Sequence, residues 1–318
     1  MSSPTGAAPA TLPRSATLPR SATPPRFFRA AGTLRGLVPS TVGYEPDPDL
    51  ATSGSPDPAD LPLHRGLPSP YLTLIFSLAG PVTSGETAEQ ARGEQAVRTR
   101  VVLGGLHTRP AYVLADPDQV GVQLAVHPLA ARALLGVPAS ELQVLVTEGA
   151  DVLGPEVDRM RERMVEVGWH ERFALLGGYL RRQRERAPAH ARVRPELVQA
   201  WRLLQATGGR TGIACVADHV ALSPRQLRAL FVREVGLGPK AVARLMRFEG
   251  ATRAIGDAVR AGAPLDLTRV AHGSGYADLS HLDREFAQLA GTGPRAWVTE
   301  ERRNLQAGGH LHGPDSEP

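Results

Sequence analysis

The sequence predicts an α+β protein: a β-rich N-terminal domain that ends in helices, followed by an all-α bipartite domain. Three observations predict it. Short runs of β-branched and aromatic residues, punctuated by Gly, Pro and Asp, fill residues 63 to 150. The apolar period becomes helical after Gly154, and between residues 191 and 303 one helical plan is written twice. With 42% of its 318 residues hydrophobic, the chain can bury two modest cores and is neither collagen-like nor wholly disordered.

Residues 1–62 read as a largely disordered Pro/Arg-rich tail and loop. A hexapeptide recurs as Thr11-Leu-Pro-Arg-Ser-Ala, Thr17-Leu-Pro-Arg-Ser-Ala and Thr23-Pro-Pro-Arg, and a proline every six residues favours extended polyproline over any packed core. The Pro/Asp/Ser-rich stretch from Glu45 to Pro62 reads as a long loop. Arginines 14, 20, 26, 29 and 35 precede the first acidic residue, Glu45, but the prolines oppose the amphipathic helix of an organelle transit peptide, and no export is expected.

Residues 63–190 are expected to form the β-rich domain ending in helices. Tyr71-Leu-Thr-Leu-Ile-Phe-Ser-Leu, Val97-Arg-Thr-Arg-Val-Val-Leu, Ala111-Tyr-Val-Leu and Val120-Gly-Val-Gln-Leu-Ala-Val are its four predicted strands, antiparallel and with a cupin-like sheet as the candidate architecture. No cupin metal pattern accompanies them: His64, His107 and His127 are isolated, and no metal or cofactor is expected. The run from Tyr71 to Gly80 is about half of the roughly 20 residues a membrane helix requires, so no membrane association is expected. Then Leu153, Val157, Met160, Met164 and Val167 recur at helical spacing, and Phe173, Leu176 and Leu180 continue the stripe past Gly168. These helices either pack on their own domain or supply a dimer seam. The arginine-rich tract from Arg181 ends the last of them before Pro188 and reads as a hinge.

In the C-terminal region, a helix from about 213 to 220 places Ile213, Val216, Ala217 and Val220 on one face. Ser223 then offers an N-cap oxygen, and Pro224 sits at the first helical position of a second helix burying Leu227, Leu230 and Phe231. This is a helix-turn-helix plan. It recurs about 55 residues later, where Asp266 caps, Val270 and Ala271 match Val216 and Ala217, and Leu282 and Phe286 match Leu227 and Phe231. Ala241 to Val259 reads as the connecting helix, and the second turn is one residue longer, with Gly273 and Gly275 in it. Ala221 stands where many such turns carry glycine, which is tolerable if the local backbone stays at negative φ. Cys215, the single cysteine, precludes an intramolecular disulfide, suits a reducing cytoplasmic setting, and is expected as a small apolar filler at the hairpin's interior or edge.

The motifs Leu222-Ser-Pro-Arg-Gln-Leu-Arg-Ala-Leu-Phe, Glu234-Val-Gly-Leu-Gly-Pro, and Gly275-Tyr-Ala-Asp-Leu-Ser-His-Leu-Asp-Arg-Glu-Phe followed by Gly291-Thr-Gly-Pro resemble the DNA-binding domain of the AraC/XylS family of transcription regulators. The resemblance covers about a third of the chain, residues 191–303, and leaves 304–318 as a tail. It implies a transcription regulator that sets two recognition helices into successive major-groove segments of double-stranded DNA. It further implies a preceding β-rich domain for effector binding or dimerisation.

Helical geometry turns Arg225, Gln226 and Arg228 outward on the first recognition helix; carried over by motif, Ser280, His281 and Arg284 are the groove candidates on the second. Arg233, Lys240, Arg244 and Arg247 are candidates for phosphate contacts. Charge distribution agrees: residues 192–303 carry 17 Lys+Arg against 11 Asp+Glu, whereas residues 1–191 balance at 19 and 19. No P-loop, dinucleotide fingerprint or Ser/His/Asp motif appears, and no enzymatic activity is expected. The expected protein is a homodimer with a small-molecule effector on the N-terminal domain. The alternative is an effector-independent regulator whose N-terminal domain is only a dimerisation or protein-partner scaffold.

Overall fold

A computed structural model of the chain describes residues 26–30, 34, 36–46, 61–116, 118–142, 144–188 and 191–306. The first half contains β1 (Arg26–Arg29), β2 (Ser40–Glu45), β3 (Leu63–Gly66), β4 (Leu72–Ser77), β5 (Val82–Gly85), α1 (Ala88–Arg92), β6 (Val97–Thr99), β7 (Val101–Gly104), β8 (Ala111–Leu114), β9 (Gly121–Val126), α2 (Ala131–Leu135), β10 (Thr147–Glu148) and α3 (Gly149–Leu153). The helices α4 (Glu156–Val165), α5 (Trp169–Arg186), α6 (Pro195–Ala206), α7 (Ile213–His219), α8 (Pro224–Val235), α9 (Pro239–Arg260), α10 (Leu267–Gly273), α11 (Leu279–Leu289) and α12 (Pro294–Gln306) follow.

The strands form two antiparallel sheets, ordered β1-β2-β9-β4-β7-β10 and β3-β8-β5-β6. Alternation dictates the buried face of the larger one. Leu72, Leu74 and Phe76 on β4 are fully buried, and their cross-strand partners Val126, Leu124 and Val122 on β9 are buried with them. Leu134, Met160, Met164, Leu176 and Leu180, from α2, α4 and α5, belong to the same core, so the helical stripe predicted from the sequence packs on its own domain. Gly168 separates α4 from α5, and α5 stops at Arg186, before Pro188.

Several expectations need correction. The stretch read as tail and loop contains β1 and β2, paired with each other, and β2 pairs with β9, so the larger sheet begins before residue 63. The physical anchor is aromatic: Phe28 stacks on Trp169 at 4.5 Å, and a Cβ at Gly43 would overlap the same indole. The hexapeptide repeats lie outside the described residues. The run Val97 to Leu103 is two strands, β6 in the smaller sheet and β7 in the larger. They part at Arg100, where Glu148 accepts from the Arg100 and Val101 amides at 2.9 and 3.0 Å. At the other end α12 runs through Gln306, three residues into the stretch read as a tail.

The region between α5 and α6 does not separate two independent bodies. One continuous core joins the larger sheet and α4–α5 to α6, α7 and α8, whereas a second core gathers Leu245, Phe248, Ala251 and Ile255 of α9 with α10, α11 and α12. Trp201 on α6 marks the join, buried between His127 (ring centroids 4.9 Å) and Phe231 of α8 (6.3 Å). His127 Nδ1 accepts the Leu129 amide proton, which requires the unprotonated nitrogen, and burial lowers its pKa to about 4.

Candidate nucleic-acid interface

In the first motif, α7 and α8 meet at the Ala217 crossing, fully buried, and the Leu222 amide donates back to the Ala217 carbonyl at 3.0 Å. Ser223 and Gln226 then form a capping box. The serine hydroxyl accepts the Gln226 amide at 3.2 Å, while Gln226 Oε1 accepts from the Ser223 amide at 2.9 Å. Ala221 does not stay at negative φ. It sits at φ +53°, because the chain must reverse between two helices packed at an alanine, and this conformation costs a residue with a Cβ about 1–2 kcal/mol. Ala221→Gly is therefore expected to raise unfolding stability by about 0.5–1 kcal/mol, the relieved strain less the entropy that glycine adds to the unfolded chain. Urea denaturation checks this; a loss of stability would contradict the strain.

The second motif repeats the construction. Asp266 accepts the Arg269 amide at 3.0 Å and starts α10, Ala271 is fully buried, and the Tyr276 amide donates to the Ala271 carbonyl at 2.9 Å. Gly275, at φ +81°, stands four residues after Ala271, as Ala221 stands four after Ala217. The two turns thus reverse at the same position. The longer second turn places its cap, Asp278, one residue later, accepting the His281 amide at 2.7 Å. Leu282 and Phe286 are buried where Leu227 and Phe231 are buried on α8, and α9 joins the motifs from Pro239 to Arg260, enclosing the predicted connecting helix.

The outward faces carry most of the predicted groove residues. Arg225, Arg228 and Ala229 are exposed on α8, and Ser280, Asp283 and Arg284 on α11. Gln226 is exposed too, but its carboxamide oxygen is engaged by the capping box, leaving only its NH2 group for another partner. His281 is half-buried: its ring packs edge-on against Tyr276 at 5.2 Å, and Nδ1 faces the Ala277 amide at 3.4 Å, a packing and capping position.

The four phosphate-contact candidates diverge. Lys240 is exposed in the first turn of α9, and Arg233 is exposed with Nε on Glu234 at 3.0 Å. Arg244 is half-buried and ties α9 to α11, donating to both Glu285 oxygens at 2.9 and 2.8 Å. Arg247 donates to the Gly209 carbonyl at 2.8 Å. Cys215 is exposed on α7, a correction to its reading as apolar filler: its position follows the hydrated side of a helix that buries Val216 and Ala217. Among the described residues no three His, Cys, Asp or Glu side chains gather as a metal site would require, and no helix is long and apolar enough to cross a membrane.

Residues invisible to motif reasoning connect the sheets to both motifs. Arg132 of α2 pairs with Glu234 of α8 at 2.9 Å, and the Ser140 hydroxyl donates to the Arg233 carbonyl at 2.6 Å. Burial raises the Glu234 pKa, but hydrogen bonds from Arg132 and Arg233 outweigh it and hold the carboxyl below its ordinary value. On the other side, Arg65 of β3 donates to Glu300 of α12 at 2.8 Å and to the Ala290 carbonyl at 3.3 Å, and His64 meets Glu301 at 3.1 Å. The N-terminal domain therefore touches both motifs at once.

The His64 to Glu301 contact is pH-sensitive. Burial lowers the imidazole pKa, but the charge and hydrogen bond of Glu301 more than reverse this and raise it. A His raised in the folded state contributes stability that is fully present below its unfolded pKa of about 6.5 and is lost as pH rises through the raised value. His64→Gln is accordingly expected to lower the thermal midpoint at pH 6 and to leave it nearly unchanged at pH 9. An equal loss at both would contradict the protonated pair.

The geometry agrees with what the chain resembles. The family model described as a helix-turn-helix domain matches residues 216–300. No curated protein matches the chain. Among solved structures, an apo variant of ToxT from Vibrio cholerae is 10% identical, the alignment covering 82% of this chain and 97% of that one with a TM-score of 0.49. The C-terminal domain of AraT, a response regulator from Geobacillus stearothermophilus, is 19% identical over 34% of this chain and 87% of that one (TM-score 0.30). The AraC-like transcriptional activator CuxR is 15% identical over 72% and 83% (TM-score 0.24). With two turns of one geometry, a shared connecting helix and the family match over both, residues 216–300 form a double helix-turn-helix domain, similar to that of AraC/XylS regulators.

Proposed function

We propose that the protein is a sequence-specific transcription regulator that places α8 and α11 in successive major-groove segments on one face of double-stranded DNA. The observation that carries this reading is the duplicated turn: Ala221 and Gly275 reverse the chain at equivalent positions, so each motif presents the exposed start of its second helix in the same way. Arg225 and Arg228 on α8, and Ser280 and Arg284 on α11, are the proposed base-reading residues. Bidentate arginine contacts to guanine O6 and N7 suit their exposed guanidinium groups. Lys240 and Arg233 are proposed for phosphate contacts; Arg244 is assigned instead to holding α9 against α11.

Residues 26–186 serve, in this reading, as the regulatory domain of a cytoplasmic homodimer and respond to a small-molecule effector. Support comes from their simultaneous contacts with α8 and α12, since a change in the sheets could alter how the two motifs sit on their half-sites. A pure scaffold would show the same contacts. A thermal-shift screen of the full chain against small metabolites separates the two: a saturable rise in midpoint supports an effector, and its absence across the screen supports the scaffold. Recovery of bound duplexes from a random pool tests the main reading. Enrichment of a two-part consensus is expected, and recovery of unenriched sequence would contradict it.

A further inference from the structure

Two arginines from different elements converge on the second turn. The loop between α6 and α7 turns at Gly208 and Gly209, both at positive φ, and delivers Arg210, whose Nε donates to the Thr207 carbonyl at 2.9 Å. Its aliphatic stem lies directly on Gly275: a Cβ built there would stand 2.6 Å from Arg210 Cγ and 2.9 Å from Cδ. The same position is 3.4 Å from Cδ of Arg247, which reaches in from the middle of α9. Glycine is needed at 275 both for its φ and because two arginine stems cross it.

No carboxylate among the described residues pairs with either charge. Among the described residues neither Arg210 nor Arg247 has an ion pair, and Arg247 Nε is buried with no hydrogen-bond partner. The neighbouring carboxylates are committed elsewhere, Glu285 to Arg244 and Asp278 to the cap of α11. The hydroxyl of Tyr276, next to the glycine, is also buried without a partner. Two like charges brought onto one turn, with the buried Nε of Arg247 left without a partner, are costly unless an anion joins them.

We infer that Arg210 and Arg247 form a seat for a DNA backbone phosphate at the turn before α11, clamping the strand that runs between the two half-sites. The inference rests on the DNA-binding reading and deepens it. When a recognition helix enters the major groove, the turn before it lies at the groove's rim, where the phosphates are. Arg210 belongs to the first motif's side of the domain but sits on the second motif's turn, so a phosphate held here would also fix the spacing between them.

The test uses the full chain with a duplex recovered from the random pool and with an unrelated duplex, titrated over a series of salt concentrations. Arg210→Gln keeps a polar side chain of similar stem and removes the charge; Arg210→Lys keeps the charge. Arg210→Gln is expected to weaken binding to both duplexes by a similar factor and to make the slope of log K against log salt shallower by about 0.9, one phosphate neutralisation. Arg210→Lys should restore most of the slope, and the thermal midpoints should match the wild type. An unchanged slope would overturn the inference, as would a loss confined to the selected duplex. Inorganic phosphate that raises the wild-type midpoint but not that of Arg210→Gln, without a change in slope, would also overturn it by making the seat one for a free anion. If the wild-type chain itself binds neither duplex, the regulator reading fails instead.

Discussion

Phe286→Ala is expected to unfold the second motif selectively while the first motif and the sheets persist. The Phe286 ring is fully buried, 4.9 Å from Phe248 and 5.8 Å from Trp297, in a core separate from the one that holds Trp201 and Phe231. Truncating a buried phenylalanine costs about 3–5 kcal/mol, and the small second core has little else with which to absorb that loss. Hydrogen exchange read peptide by peptide should show protection falling in α10, α11 and α12 and holding in α4, α6 and α8. Uniform loss across both cores would mean that they fold as one unit. Trp201→Ala is the complementary case, because its indole lies where the sheets and the first motif share a core.

Arg228→Ala and Arg284→Ala form the second large prediction. Each removes an exposed guanidinium from the outward face of one recognition helix without disturbing a buried side chain. A bidentate arginine contact to guanine discriminates by about 1–3 kcal/mol, so each variant should lose roughly 10- to 100-fold in affinity for the selected duplex and should relax preference at one base position. The relaxed positions should fall in different halves of the site. Competition with duplexes carrying single base changes reads this directly. An unchanged preference profile would remove the residue concerned from the interface, and relaxation of the same position by both would contradict the two-helix arrangement.

Much of this architecture is legible in the sequence because it rests on local periodicity and caps. β4 and β9 show as alternating apolar runs, and both motifs show through the alanine crossing, the cap and the buried pair that follows. What was not legible depends on partners far along the chain. β1 and β2 are short and lie among prolines and glycines; what makes them strands is pairing with β9 and the Phe28 stack on Trp169. No local pattern announces that the run from Val97 changes sheets at Arg100, since both strands share one composition. The candidate site was legible in position and less so in role. Spacing places Gln226 and His281 at the starts of the recognition helices, where backbone amides compete for their side chains, and the capping geometry wins. The residue type at 221 does not announce its positive φ, because the turn geometry, set by helix packing at Ala217, outweighs the cost of a Cβ in the left-handed region. The pairs His64 to Glu301 and Arg132 to Glu234 join residues too far apart in sequence for any motif to carry.

Hydroxyl-radical footprinting of the full chain on a duplex recovered from the random pool tests the twin-helix arrangement most directly. Two protected segments are expected on one face of the duplex, about one helical turn apart, with Phe286→Ala erasing one and sparing the other. A single protected segment that Phe286→Ala leaves intact, or no protection of any duplex at low ionic strength, would contradict that arrangement.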